Sequence, residues 1–398
     1  MDSDSKFNTS DIEKSNTEKS SSIGGVIISL LLILAISLVA FTVYLKNLGY
    51  DFSSLKIGDA ITFIENNKAK SSVALEIPFV QDGSFNCGIY KNYTILLSKD
   101  GVKWYSKSGE LLQENAYTFT RPAIRCSNKY MAVADISGRD IYFYKDKNLL
   151  WSRKLDNKII NASVNNDGDC TVVTQSAEYK SSVQVIDING VDKYTKLYAE
   201  DIVIDAKTIH NGQNVLTNKV ITDNVKSGTQ LEFNNIYEEK PFSTINVPDN
   251  ILPILISNGK NEIAAGQNLV IYMDKQGKEI WRKSAESIFC IAPNSDKYVI
   301  IAGKFNNTSK ITEQQVLVLN TDGEIVYSFE QPENVAGIQQ YGDRIALRTK
   351  KSVYLYTLKG KKLGQYSARN EIKDAYLISD NQAIIISGGT ISLVNITE

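Results

Sequence analysis

A single membrane-spanning helix carrying a large all-β domain of repeated strand hairpins is the fold class that this sequence predicts, on three observations. Residues Ile23 to Leu45, IGGVIISLLLILAISLVAFTVYL, run without one charged side chain. Nearly everything after Val73 reads as short alternating strands punctuated by Gly and Asn turns. Within that region one strand–turn–strand unit recurs at a mean spacing of about 42 residues, inside the range of about 40–45 expected for blade-forming repeats of four strands.

Taken in chain order, residues 1–22 (MDSDSKFNTSDIEKSNTEKSSS) contain almost no apolar side chains and are expected to form a disordered tail. Residues 23–45 follow as the span. Leu, Ile, Val and Phe favour insertion by roughly 0.3–0.6 kcal/mol each near a helix centre, so together they contribute several kcal/mol. At 1.5 Å per residue the segment is about 35 Å long, enough to cross a bilayer with slight tilt. A cleaved signal peptide would have a shorter apolar region ending in small residues. This run instead closes with Tyr44, Leu45 and Lys46, which favours a retained anchor. The flanking basic residues, Lys6, Lys14 and Lys19 before the span and Lys46 and Lys56 after it, give a slight bias to a cytoplasmic amino terminus and an extracytoplasmic domain.

Residues 46–70 make a juxtamembrane linker. In it Ile57, Ala60, Ile61 and Ile64 lie at helical intervals and predict a short amphipathic helix, with Ser53 or Ser54 as its cap and Gly58 weakening it.

The β-domain occupies residues 71–398. Its repeated unit is seen in VKWYSKSGELLQE (102–114), IYFYKDKNLLWSRK (141–154), VQVIDINGVDKYTKL (183–197), LVIYMDKQGKEIWRK (269–283), VLVLNTDGEIVYSF (316–329) and VYLYTLKGKKLGQY (353–366). A degenerate copy, TQLEFNNIYEEKPFSTI (229–245), fills the gap. Each unit is preceded by a second strand pair, as in INASVNNDGDCTVVTQ (160–175), so each period holds four strands. Ala162, Ala206, Ala336 and Ala375 open the first strands, where blades of a propeller converge and large side chains do not fit. After seven full sets, the chain ends on three more strands, and SSVALEIPF (71–79) is the one unassigned β-pattern. Eight blades are therefore expected, the last closed by that amino-terminal strand beside Ile391 to Asn395, with a seven-bladed ring as the alternative.

These residues carry a family resemblance. YMDKQGKEIW (272–281) resembles the repeat of the quinoprotein-type (PQQ-like) β-propellers, in which an apolar strand, Asp, turn Gly and following Trp dock neighbouring blades. VIDING (185–190), VLNTDGEIVY (318–327) and the NLLW ending at Trp151 match it in part, and WD40-like propellers have the same period. The arrangement as a whole resembles membrane-anchored propeller proteins of low-GC Gram-positive bacteria.

Composition excludes more than it assigns. With 44 Lys plus Arg against 45 Asp plus Glu, the chain has no basic excess to hold a phosphate backbone, and nucleic acid is not expected as a partner. Cys87, Cys126, Cys170 and Cys290 form no CxxC pair, and Cys87 and Cys290 fall nearly where other copies carry Ala, which favours small buried thiols over disulfides. Any Ser–His–Asp triad must be built on His210, the one histidine, which lies in a polar turn. NNDGD (165–169) and NTDG (320–323) resemble fragments of a calcium loop without its spaced carboxylates, and read as hairpin turns. Quinone enzymes of the propeller class join adjacent cysteines, which this chain lacks. No catalytic residue, metal or cofactor is therefore expected. The expected role is a non-catalytic protein-interaction or scaffolding module with an envelope protein as partner, the alternative being a small-ligand or glycan receptor, or an enzyme, at the axial pocket. Long loops on a rigid scaffold are where binding concentrates, and the three longest (176–182, 222–229, 304–315) nominate Tyr179, Lys180, Lys226, Phe305 and Asn306 as a binding surface.

Overall fold

The computed structural model describes residues 23–47, 72–79, 85–223, 226–294, 297–305 and 314–396. The chain divides into two compact units, Met1–Lys56 and Ile57–Glu398. The expected disordered tail and the amphipathic helix of the linker lie outside the described residues.

In the first unit, helix α1 spans Ile23–Asn47, 25 residues, two longer than the apolar run and ending with Lys46 in its last turn, where a cation complements the helix dipole. Two of its polar side chains are satisfied within the helix: Ser37 Oγ donates to Leu34 O and Thr42 Oγ1 to Val39 O, both at 2.8 Å. Side chains are described for residues 32–44 and 46 of α1, and among the described residues no helix is long and apolar enough to cross a membrane.

The second unit is an eight-bladed β-propeller of four-stranded antiparallel blades. Blade I comprises Asn86–Tyr90, Tyr93–Ser98, Gly101–Tyr105 and Leu111–Ala116, and blades II to VII repeat that order through Ser367. Blade VIII takes Ile372–Leu377, Gln382–Ser387 and Thr390–Asn395 from the end of the chain and its outermost strand, Ser72–Pro78, from the start. The closing ladder runs antiparallel from Ser72 opposite Asn395 to Pro78 opposite Thr390, as the strand count requires. It has one irregularity between Val73 and Leu75, which the plain alternation of Val73, Leu75 and Ile77 does not show. The degenerate copy is a regular blade, IV, with outer strands Lys226–Asn235 and Ser243–Val247, which rules out the seven-bladed alternative.

Apolar side chains are distributed as eight clusters, one at each junction between neighbouring blades, rather than as one central core. A strand with both faces covered buries both sets of its alternating side chains, which is why strands such as Tyr130–Asp135 and Leu269–Met273 are buried throughout. The largest side chain sits at the first junction: Trp104, fully buried, meets Tyr90, Tyr93 and Tyr144 edge-on with centroids 5.3–6.3 Å apart. Ala162, Ala206 and Ala375 are buried between blades close to the axis. Ala336 differs from expectation. It lies one residue before its strand and is exposed, because Gly337 opens that strand beneath the Arg348 guanidinium.

Docking between blades repeats one device. In blade V, Asp274 N bonds Lys278 O, Gly277 N bonds Asp274 O at 3.1 Å, and Asp274 Oδ1 accepts from the amides of Gln276 and Lys278. The result is a type I turn followed by a left-handed glycine, with the register shift that such a bulge imposes between Tyr272 and Met273. Asp187 and Asn320 hold the same turn in blades III and VI. The glycine leaves a flat platform for an aromatic side chain of the preceding blade: Trp151 on Gly190, Phe233 on Gly277, Trp281 on Gly323, and Phe329 on Gly360. Leu75 and Ile77 of the closing strand sit on Gly109 in the same way. Trp281 also stacks on Tyr272 at 5.0 Å and donates from Nε1 to Thr321 O at 3.1 Å.

Gly323 is the sharpest test of this device, since its φ is +83° and a Cβ there would lie 2.7 Å from Trp281 Cγ. Gly323→Ala is expected to destabilise the ring by about 2–4 kcal/mol, from the strained backbone together with overpacking. A lowered urea midpoint at unchanged m-value would register it; an unchanged midpoint would show that Trp281 yields without cost.

Candidate axial site

In each blade the turns joining first to second and third to fourth strands emerge at one end of the propeller axis. The links between second and third strands, and between blades, emerge at the other. One cavity, about 550 Å³, is walled by the first-to-second turns and adjoining strand ends of blades II to V. A second, about 480 Å³, is walled by the innermost strands of blades I, II and VIII, and Cys126 lines both.

The first cavity is a polar cup. Asn128, Asn166, His210, Asn211 and Asn258 come from four successive turns, with Ser163, Lys207, Thr208, Ser257 and Glu262 below them. The turn chemistry places them. Asn165 Oδ1 accepts from the amides of Asp167 and Asp169, both at 2.9 Å, so NNDGD is a side-chain-stapled hairpin, and Asp169 is committed to Lys193 at 3.2 Å. Asn258 Oδ1 holds its turn through the amides of Lys260 and Asn261. His210 and Asn211 both take left-handed backbone (φ +51° and +53°), and among the described residues the His210 ring makes no hydrogen bond. No group of three or more potential metal ligands occurs among the described residues.

Glu262 is the unusual member. It opens the second strand of blade V opposite Ser257, whose hydroxyl donates to Glu262 Oε1 at 3.0 Å. Its residue is 1% exposed, and Oε2 has no hydrogen-bond partner. Burial pushes its carboxyl up to about 8, against the opposing pull of the Ser257 hydroxyl and the charges of Lys207 and Lys275, so it is neutral at pH 7.

The second cavity is lined by side chains that are largely satisfied. Arg125 donates to Ala162 O (2.9 Å), Ile124 O (3.0 Å) and Asn161 Oδ1 (2.9 Å), and the Tyr376 hydroxyl lies within hydrogen-bond distance of Asp374 Oδ2 (2.7 Å) and Cys87 O (2.9 Å). Asn161, Asp205 and Asp374 follow register shifts in the innermost strands of blades III, IV and VIII. Each turns an oxygen onto the amide of the alanine that follows. Burial lowers the Arg125 pKa and raises that of Asp205. All four cysteines are free. Burial pushes the Cys87 and Cys126 thiols up to about 12 and Cys290 to about 11, so they stay protonated at neutral pH and are poor nucleophiles. Cys126 opens onto the two cavities yet is walled round by protein, which reconciles its exposed surface with its raised pKa.

The binding surface nominated from loop length lies at the opposite end of the axis from the polar cup. Tyr179 is half-buried, its amide bonded to Ser176 Oγ at 2.8 Å, and Lys180 beside it is exposed. Lys226 faces Asp223 across the hairpin of blade IV. Phe305 does not belong to that surface. It is buried in the apolar cluster between blades V and VI with Ile263, Tyr272 and Val299, since the second strand of blade VI carries its alternation past the strand end. Asn306 lies outside the described residues. Loop length pointed to none of the cup residues. The signal available for Glu262 was a lone carboxylate opening an otherwise apolar strand, EIAA.

Solved propellers share this architecture. Sqt1 of Saccharomyces cerevisiae superposes with a TM-score of 0.61 at 10% identity, over 82% of this chain and 99% of that one. The carboxy-terminal WD40 domain of Sif2 gives 0.58 at 13% identity over 82% and 99%. BamB from Moraxella catarrhalis gives 0.52 at 14% identity over 82% and 98%. At such identities the likeness establishes the propeller fold alone. No curated protein sequence matches. The model of the family described as a family of unknown function, DUF5711, matches residues 66–396, and the chain belongs to that family.

Proposed function

We propose that the protein is a non-catalytic interaction module of the cell envelope, held at the membrane by α1 with its amino terminus in the cytoplasm and its propeller outside. The observation that carries this reading is the closed ring itself. Eight packed junctions and a chain-terminal ladder hold the loops at both ends of the axis in fixed relative positions, as a recognition scaffold requires. Anchoring is argued from the sequence, which is uncharged from Ile23 to Leu45. An envelope protein is the partner that this placement favours, engaged through the second-to-third strand loops of blades III and IV.

Crosslinking in intact cells followed by capture of the full-length chain is expected to recover a defined set of envelope proteins. Tyr179→Ser with Lys180→Ala should reduce that recovery without lowering the melting temperature. Recovery of cytoplasmic proteins instead would overturn the orientation, and unchanged recovery by the double variant would remove the loop surface.

A second reading, a receptor for a small ligand at the axis, is favoured by the polar cup. Its volume of about 550 Å³ falls within the roughly 300–1,000 Å³ of small-molecule sites.

A further inference from the structure

Resting on the axial-receptor reading, we propose that the cup between blades II and V binds a neutral polyhydroxylated ligand, a short glycan, with Glu262 as its anchoring hydrogen-bond partner. Three observations lead there.

The first is the orphaned oxygen. A buried polar atom without a partner costs roughly 1–3 kcal/mol, and Glu262 Oε2 is such an atom on a residue that walls the 550 Å³ cup. With Oε1 held by Ser257 and the carboxyl protonated at pH 7, the group offers one acid O–H as donor and keeps acceptor capacity. The terminal carboxyl torsion is soft, so an entering ligand can draw Oε2 into a hydrogen bond. A sugar hydroxyl, itself donor and acceptor, satisfies both properties of the acid.

The second is the remaining lining. Asn165 and Asn258 are used up in holding their turns. Asn166 spends its oxygen on the Asn128 amide, leaving its own Nδ2 to serve a ligand. Together with the side chains of Asn128 and Asn211, this sets amide groups around the mouth on three successive blades. Amides pair donor with acceptor at a fixed separation, which suits vicinal hydroxyls and gives no preference for net charge.

The third is charge. Lys207 lines the cup and is offset by Asp205, two residues earlier on the same strand. Glu262 is neutral, and Asp167 stands exposed at the mouth. A cation entering meets Lys207, and an anion entering passes Asp167 at the mouth. A neutral ligand avoids both penalties. The charged groups acting on Glu262 are Lys207 of blade IV and Lys275 of its own blade, while His210 shares the cavity.

Titration calorimetry on the full-length chain, in a detergent without a sugar headgroup, tests this with maltose, cellobiose and N,N′-diacetylchitobiose as neutral probes. Putrescine and citrate serve as charged ones. At least one neutral disaccharide is expected to saturate with a Kd of about 1 mM or tighter near pH 6, and to weaken at least about tenfold near pH 10 as Glu262 loses its proton. Glu262→Gln, which keeps a donor and an acceptor, should bind with no such pH dependence. Glu262→Ala should bind at least about tenfold more weakly than the wild type. No saturation by any neutral probe would overturn the proposal, as would wild-type binding that ignores pH or a Glu262→Gln variant that keeps the pH dependence. Saturation by putrescine or citrate alone would overturn the glycan assignment while leaving the axial-receptor reading in place.

Discussion

Deleting residues 72–78 from the full chain is expected to open the ring, lower its melting temperature and cause it to aggregate. The strand contributes a whole ladder against Thr390–Asn395, and the Phe79 amide continues it onto Gly389 O at 2.8 Å. It also supplies Leu75 and Ile77 to the Gly109 platform of blade I. These two side chains are half-buried, so their burial contributes about 1 kcal/mol each. The larger consequence is topological. Without the strand, Thr390–Asn395 becomes an unpaired edge, and the cluster joining blade VIII to blade I, built on Cys87, Leu96, Ile384, Ile386 and Ile391, loses its cover from Ile77. Thermal unfolding with light scattering reads both effects. An undisturbed melting curve would mean that the junction of blades VIII and I holds the ring without the ladder.

The second large effect is expected at Glu232. Between blades III and IV its carboxylate bonds Lys196 and, at 2.6 Å, Lys219, with the Tyr198 hydroxyl at 3.4 Å. Lys219 is itself buried and reaches Asp201 at 3.0 Å, and both ammonium groups lie over the Tyr198 ring at 5.3 and 5.5 Å. Burial by itself would raise the Glu232 pKa, but the bonds from the two lysines outweigh it and hold the carboxyl below its ordinary value. The corresponding pull of Glu232 and Asp201 overcomes the desolvation of Lys219 and raises its pKa.

Glu232→Gln leaves Lys219 buried with a weakened set of partners, and removing one member of a buried pair costs about 3–5 kcal/mol. Because the folded pKa of Glu232 is depressed, its contribution is fully present above the unfolded value of 4.5 and is lost as pH falls through the folded value. The wild type should therefore lose stability on acidification below 4.5 more steeply than Glu232→Gln. Chemical denaturation at pH 7 and across that acid range measures both. A variant as stable as the wild type at pH 7 would show that the two lysines find other partners.

Local signals explain why much of this fold is legible in the sequence. The turn of type DKQG needs only an Asp side chain reaching amides two and four residues ahead and a glycine at positive φ, all within five residues. Strand alternation is equally local. Counting such hairpins in fours yields eight blades, and the leftover strand at residues 72–78 has one place to go because a ring with a missing strand leaves an edge exposed. The docking role of Trp281 was readable for the same reason, through its fixed distance from the turn glycine. Even so, the glycine it rests on, Gly323, belongs to the next repeat.

What the tertiary structure alone decided concerns residues brought together from different strands and blades. Lys207 and Glu262 face one cavity from different blades, and nothing local marks either as axial. Which side chains point inward is set partly by register shifts in the innermost strands, such as those before Asn161, Asp205 and Asp374, and one such shift moves every later side chain to the opposite face. Composition read without the strand's true start misplaces Ala336, and loop length read without burial places Phe305 on a surface when it fills a junction. The same holds for Glu232, whose partners come from the third blade's outer strand and the fourth blade's own second strand. Turns and period were determined by the sequence because their energies act within a few residues. The axial site, the buried ion network and the raised pKa of Glu262 exist only once eight hairpin sets close on themselves, since burial is a property of the ring and not of any one strand.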